Sequence, residues 1–234
     1  VNPTEPGAYD PDAYDPDAYD PDVRPGGPAS TRELPELAIT KVAVSSMSNN
    51  AYLLTDRATG TQLLVDAADD APTLLALAGT RGVAGVVTTH QHWDHHRALA
   101  DVVAATGART YAGAPDADAL PVAPDVRLEH GDTIAVGASR LEVIRLTGHT
   151  PGSVALLYRD PTGHPHLFSG DSLFPGGVGN TKMPGQSFEQ LYADVVARVF
   201  DVLPDDTWVY PGHGSDTTLG VERPHLQEWR ARGW

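Results

Sequence analysis

Residues 89–96 read THQHWDHH, four histidines and one aspartate in eight positions of a 234-residue chain that has ten histidines in all. The run ends the apolar segment Val83–Thr89, which reads as a buried strand. It opens a segment, 94–106, in which Leu99, Val102, Val103 and Thr106 recur at helical spacing before Gly107 supplies a stop. The string therefore stands at a strand-to-helix junction. In extended chain, His90 and His92 point to one face. Asp94 and His95 fall where the backbone changes direction and can be aimed at a second point nearby, so one short loop can serve two adjacent metals. Packing does not account for such a string, because buried charge is costly without a partner.

Three later loops, each directly after a predicted strand, carry one further candidate apiece. These are His149 in TGHTPGS, Asp171 in FSGDSLF and His213 in YPGHG, all flanked by glycine. Around them the chain alternates short β-rich runs with helical ones. Residues 37–44, 50–55 and 61–67 read as strands, with 56–60 as a hairpin loop. Asp70 and Pro72 open a short helix through Leu74, Leu75 and Ala78 to Gly79. In the second half, 140–147, 154–159 and 167–169 read as strands. Ser187-Phe188-Glu189-Gln190 is a capping-box pattern opening a helix whose face is Phe188, Leu191, Val195, Val199 and Val202, closed by Pro204. A strand at 207–210 and a terminal helix at 222–232 complete the series. Two halves, each with strands first and helices after, predict an α/β domain over 33–234 with two packed sheets and helices outside, four layers in all.

Residues 8–22 are three perfect copies of AYDPD. Short of apolar area, the segment 1–32 reads as a flexible acidic tail. A calcium-binding role for the repeat lacks the Gly and terminal Glu of an EF-hand loop. A formal charge of −15 with only 16 Lys and Arg argues against nucleic acid or an anionic membrane as partner. No apolar run reaches the ~18 residues of a membrane span. The first thirty residues show no basic start followed by an apolar run, so the cytoplasm is the expected location. The absence of cysteine removes disulfides, thiolate metal sites and a cysteine nucleophile together. Composition leaves the oligomeric state open.

HQHWDH, TGHTPGS, SGDSLF and PGHG, in this order and about fifty, twenty and forty residues apart, resemble the metallo-β-lactamase superfamily, and within it the glyoxalase II (hydroxyacylglutathione hydrolase) branch. The resemblance runs from about residue 37 to 223. It takes in Asn50–Leu54, Leu64-Val65-Asp66 and the TTLGVER stretch at 217–223. It implies a four-layer αββα sandwich with a dinuclear site at one edge of the sheets. His90, His92 and His149 would bind one divalent metal, Asp94, His95 and His213 the other, and Asp171 would bridge them, with Asp94 counted as catalytic too. Zinc comes first, with iron or manganese as alternatives, since imidazole and carboxylate suit all three. Asp66 would hold the His/Asp loop from behind. A hydroxide shared by the two metals would attack a carbonyl carbon of a small-molecule substrate. No general acid is evident, which favours a thioester or related ester, because a thiolate leaves with little proton help. The alternatives are a lactonase, a mononuclear-iron persulfide dioxygenase of the same fold, and a non-catalytic metal-binding module.

Three departures from the family pattern bear on substrate. Only about twenty residues follow His213, and Arg223, Arg230 and Arg232 do not match a glutathione site. In GGVGNTKMPG, 176–185, Asn180 replaces the familiar Arg, and Lys182 reads either as a holder of a substrate carboxylate or as a surface lysine. His96-Arg97 stands where a small residue and Gly are usual. His96 then either bonds substrate or a nearby carboxylate, or points to solvent. His130, His164, His166 and His225 read as surface or turn residues.

Overall fold

Side chains alternate along each strand, and in this chain both alternating faces are apolar, so each sheet must be covered twice. The computed structural model describes residues 19–161 and 163–233. One sheet contains β1 (Ser30–Glu33), β2 (Leu37–Val44), β3 (Asn49–Asp56), β4 (Gln62–Val65), β5 (Gly85–Thr88), β6 (Arg109–Gly113) and β7 (Val126–Leu128) in that order. It is antiparallel up to β4 and parallel beyond. In the other, β8 (Thr133–Val136), β9 (Ser139–Arg145), β10 (Val154–Arg159) and β11 (Pro165–Gly170) form an antiparallel meander. A two-stranded hairpin, β12 (Leu173–Phe174) and β13 (Gly177–Val178), follows Asp171. The second sheet resumes with β14 (Trp208–Pro211), parallel to β11, and ends with β15 (Thr217–Thr218).

Leu37, Ile39, Tyr52, Leu54, Leu63 and Val65 face Leu141, Val143, Leu156, Tyr158, Phe168 and Tyr210 between the sheets. The opposite parity of the first sheet, Val42, Val44, Leu53, Leu64 and Val86, is covered by α1 (Ala71–Ala78) and α2 (Leu99–Thr106). On the second sheet, Leu157, Leu167 and Val209 are covered by α3 (Phe188–Val195), α4 (Leu219–Glu222) and α5 (Leu226–Arg232), with Leu191, Leu219 and Trp229 at the contact. The αββα sandwich expected from the sequence is the observed fold. Both expected caps form: Asp70 accepts from Thr73 N, and Ser187 accepts from Gln190 N. Among the described residues no helix is long and apolar enough to cross a membrane.

Several details differ from the sequence reading. The helix predicted over 94–106 is a 3₁₀ turn at Trp93–His95 followed by α2 from Leu99. Between them Arg97 N and Ala98 N donate to the carbonyls of Ala68 and Ala67, which pins the loop to the end of β4. The helix from Ser187 passes into a π turn at Val196–Phe200, where Asp201 N bonds Val196 O. The wider turn rotates the succeeding residues off the buried face, so Val199 is buried while Val202 is 61% exposed.

The tail boundary at residue 32 also moves. Residues 1–18 lie outside the described ones, but the stretch from Tyr19 is anchored at both ends: the Tyr19 hydroxyl donates to Asp216 at 2.6 Å, and Ser30–Glu33 pair with β2. Composition could not register this, because the segment is held by a few specific polar bonds and one aromatic ring rather than by apolar area.

Leu156, fully buried between the sheets, and Val202 test the layer assignment. Leu156→Ala is expected to lower unfolding free energy by about 2–5 kcal/mol, and Val202→Ala to change it by less than about 0.5 kcal/mol. Urea denaturation monitored by circular dichroism measures both, and equal losses would contradict the assignment.

Candidate metal centre

The C-terminal ends of β5, β9, β11 and β14 lead into the four loops that carry the candidate ligands, and these loops converge. His90 Nε2 lies 3.1 Å from His92 Nδ1, and with His149 they form a cluster whose donor atoms lie within 4.8 Å of one another. Asp94, His95 and His213 form a second such cluster. In it His95 Nε2 stands 3.1 Å from His213 Nε2, and Asp94 Oδ2 stands 3.4 Å from His213 Nε2 and 3.7 Å from His95 Nε2. Asp171 faces both: its Oδ1 is 3.4 Å from His95 Nε2, and its Oδ2 is 3.6 Å from both His149 Nε2 and His213 Nε2. All seven side chains singled out in the sequence thus surround one space.

The outward nitrogens decide what the inward ones present. His95 Nδ1 bonds Asp66 Oδ2 at 2.9 Å, His149 Nδ1 donates to Asn180 O at 2.7 Å, and His213 Nδ1 donates to Met47 O at 3.0 Å. Thr89 gives its hydroxyl proton to Asp66, so it accepts from His90 Nδ1 at 3.0 Å. In these tautomers Nε2 of four rings carries a lone pair pointing inward. Lone pairs then face each other at about 3 Å, which is repulsive unless a proton or cation lies between. His149 Nε2 and Asp171 Oδ1 are buried without a hydrogen-bond partner. Tetrahedral bonds of ~2.0–2.2 Å would set ligand atoms roughly 3.3–3.6 Å apart, close to the separations found. The donor set fits a metal.

The charge states of the donors follow from burial and from their neighbours. Burial, reinforced by the neighbouring His95 and His149, holds His90 well below the ordinary histidine pKa, in the neutral form a ligand requires. Burial opposes charge on Asp94, but the neighbouring His213 ring and the hydrogen bond from Asn49 outweigh it and keep the carboxyl below its usual range. Asp171 is likewise held low against burial by His95, His213 and His149. Burial also opposes charge on His95, and there Asp171 and Asp66 win and raise its pKa.

Behind the donors stand three braces. Asp66, read from the sequence as a support, takes a left-handed φ of 59° and accepts from Thr89 N at 2.7 Å as well as from Thr89 Oγ1 and His95. Asn49 is a brace that sequence reasoning misses; its Nδ2 donates to both the carbonyl and Oδ2 of Asp94 at 3.0 Å. It directly precedes the motif stretch at Asn50, which is the one signal that could have found it. Asp116 is missed as well. Fully buried, it accepts from Gln91 N at 2.9 Å, Thr150 Oγ1 at 2.5 Å and Gly152 N at 2.6 Å. It thereby ties the loop of His90 and His92 to that of His149. Its partners are distant in sequence, so no local pattern marks it. At Gly212 a Cβ would run into the Asp171 carboxylate and the His95 ring, so the glycine before His213 is required by close approach.

His96 takes neither of its two expected roles: it is buried, with Nε2 against Gln91 O at 3.1 Å, and closes its own loop. His166 is a correction, since it is buried in β11 rather than at the surface. Its Nδ1 meets Tyr210 Oη at 3.0 Å, and burial, with Arg32 nearby, pushes its pKa down to about 4. His130, His164, His225 and Lys182 are exposed.

This fold and donor set define a candidate metal centre of a kind shared with known proteins. Residues 46–213 match the metallo-beta-lactamase superfamily, and the chain belongs to it. A hydroxyacylglutathione hydrolase of Fuscovulum blasticum is 38% identical over 182 residues, covering 76% of this chain and 67% of that protein. The chain spans about two thirds of the length of the curated hydrolases of that name that it matches. Among solved structures, ETHE1 from Myxococcus xanthus aligns with a TM-score of 0.71 at 29% identity, over 80% of this chain and 82% of its own. A protein solved in a di-iron-bound form aligns at 0.65 with 34% identity, over 78% of this chain and 96% of its own.

Asp66→Asn is expected to weaken metal binding about 10–100-fold with the fold retained. Asp116→Ala, which releases two loops at once, should weaken the His90, His92 and His149 set more than the other. Competition with a chromogenic chelator reads both. Unchanged affinity in either variant would remove that residue from the support of the site.

Proposed function

We propose that the chain is a dinuclear metallohydrolase that cleaves a thioester or related ester of a small molecule. In this reading His90, His92 and His149 hold one divalent cation, Asp94, His95 and His213 hold the other, and Asp171 serves both. The observation that carries it is completeness: both clusters are full, and the carboxylate between them lies within 3.6 Å of ring nitrogens from each. A one-metal reading leaves the second cluster, with its own brace at Asn49, without a purpose. Zinc is the first choice. Iron follows, supported by the di-iron-bound relative.

When bound, the cation pair supplies Lewis acidity at a carbonyl oxygen and acidifies water towards a pKa of about 7. The chain's residues do the rest. Asp94, held by Asn49 and kept ionised, would serve as a ligand of the second cation and as a carboxylate able to take a proton from water. The outward bonds of His90, His95, His149 and His213 keep the rings from turning as charge develops. With no cysteine, the chain offers no thiol nucleophile.

Exposed apolar side chains beside the ligand loops favour a substrate with an apolar portion. Trp93 and Met47 are 58% and 47% exposed, and each belongs to a loop that carries or contacts a ligand. Arg97 lies 3.6 Å over the Trp93 ring and pairs with Asp69 at 2.8 Å, which weakens the attraction it offers an anionic carrier.

Metal analysis of protein purified without added metal, joined to a panel of acyl thioesters and lactones, tests the proposal. We expect about two metals per chain, thioester turnover abolished by chelation, and loss of about one equivalent in each of His149→Ala and His213→Ala. A single iron with dioxygen-dependent turnover would replace the proposal with a dioxygenase. Turnover of acyl-homoserine lactones alone would make it a lactonase, and metal without any turnover a binding module.

A further inference from the structure

The AYDPD repeat takes no part in the metal centre, yet its last copy is bound. Tyr19 stands edge-on to Trp208 and Tyr210, with ring centroids 6.3 and 6.2 Å away, and the Arg32 guanidinium lies 4.5 Å from its ring centre. Its hydroxyl donates to Asp216 Oδ2 at 2.6 Å, beside Trp208 Nε1 at 2.9 Å. Two residues on, the Pro21 carbonyl accepts from Lys41 Nζ at 2.6 Å, while Asp22 N bonds Asp20 Oδ1 at 2.8 Å and closes the Asp-Pro-Asp turn. Both Asp20 and Asp22 add attraction for Lys41.

The slot needs this peptide because Lys41 and Asp216 form an ion pair at 2.7 Å with both side chains fully buried. Burial works against both charges, lowering the pKa of the Lys41 ammonium and raising that of the Asp216 carboxyl. A buried pair is tolerated when its remaining donors and acceptors are also satisfied. Lys41 has three donors, taken by Asp216, Gly214 O at 2.8 Å and Pro21 O, so the peptide supplies one of the three acceptors. It also supplies one of the two side-chain donors on Asp216 Oδ2.

Each of these contacts is to a tyrosine ring and hydroxyl, a proline carbonyl or an aspartate. All of them recur five residues earlier, at Tyr14, Asp15, Pro16 and Asp17. We infer that the slot beside β14 and β15 is a docking site for the Tyr-Asp-Pro-Asp motif, and that the second copy, residues 13–17, is its reserve occupant. Docking the second copy lengthens the connection to β1 from about 7 to about 12 residues, which costs roughly two-fold in occupancy by loop entropy. Val23, buried just after the third copy, and the bond from Asp20 N to Ser30 Oγ at 2.6 Å give the third copy its preference. In the shifted register Ala18 stands at the position of Val23. The third copy therefore holds the slot, and the second takes it when the third is damaged. The bound motif also braces the turn after His213, because Lys41 and Asn50 share Gly214 O as acceptor.

The test uses the full chain and is independent of the metal reading. Thermal unfolding of Tyr19→Ala is compared with Tyr14→Ala and with the combined Tyr9→Ala, Tyr14→Ala, Tyr19→Ala variant. We expect Tyr14→Ala to be silent, Tyr19→Ala to lose less than half of the Tm drop of the combined variant, and free AYDPD peptide to restore part of that drop in the combined variant. Equal losses in Tyr19→Ala and the combined variant would overturn the inference. Rescue in Tyr19→Ala that grows with protein concentration would place the substitute copy on a second chain and overturn the assignment to residues 13–17. If the combined alanine variant does not fold, the corresponding Tyr→Phe series, which keeps the ring and removes the donor to Asp216, gives the same comparison.

Discussion

Five imidazole rings and two carboxylates facing one another across about 3–4 Å are the constraint around which the rest of this molecule is arranged. Such a group repels itself unless its protons are held on the outside and its lone pairs share a cation. The outer bonds to Asp66, Asn180, Met47 and Thr89 perform the first task. They come from four separate loops, and each loop is fixed by a strand end. The two sheets, whose strand ends meet at one side, are the scaffold that four loops of this length require. The helices on the outer faces cover the apolar parity that this arrangement leaves exposed.

Asp116 shows how closely the loops are coupled. Its two oxygens receive three hydrogen bonds, from the loop after β5 and from the loop between β9 and β10. One loop belongs to the first sheet and the other to the second. A buried carboxylate with three donors is a firm junction, and it sits between the two sheets at the point where the His90, His92 and His149 cluster forms.

The sequence makes legible whatever is written locally. The HxHxDH string is one such feature, because four donors in six positions leave a signature without any partner being known. The fold class is another, because period-two runs alternating with period-3.6 runs survive errors at their ends. Asp116 and Asn49 are out of reach, since an aspartate or asparagine is marked as a brace only by partners 25 to 45 residues away. Strands β6, β7 and β8 have three to five residues, too few for alternation to register. Val202 reads as part of the buried face because a π turn leaves no trace in composition, and His166 reads as a turn because a proline-flanked histidine does so whether or not a tyrosine waits to bond it. The repeat reads as free because its ordering depends on an ion pair, Lys41 with Asp216, whose members are 175 residues apart.

The separation of the donors along the chain has a consequence for synthesis. A ribosome that has released residue 95 has already delivered four of the seven donors, but His149, Asp171 and His213 follow 54, 76 and 118 positions later. Until then the early four have neither their cluster-mates nor the Asp116 clasp, whose partners at Thr150 and Gly152 are also still to come. The pocket is therefore an all-or-none product of closing long loops, the slow kind of folding step. A nascent chain therefore holds no finished cation site until the second sheet has docked.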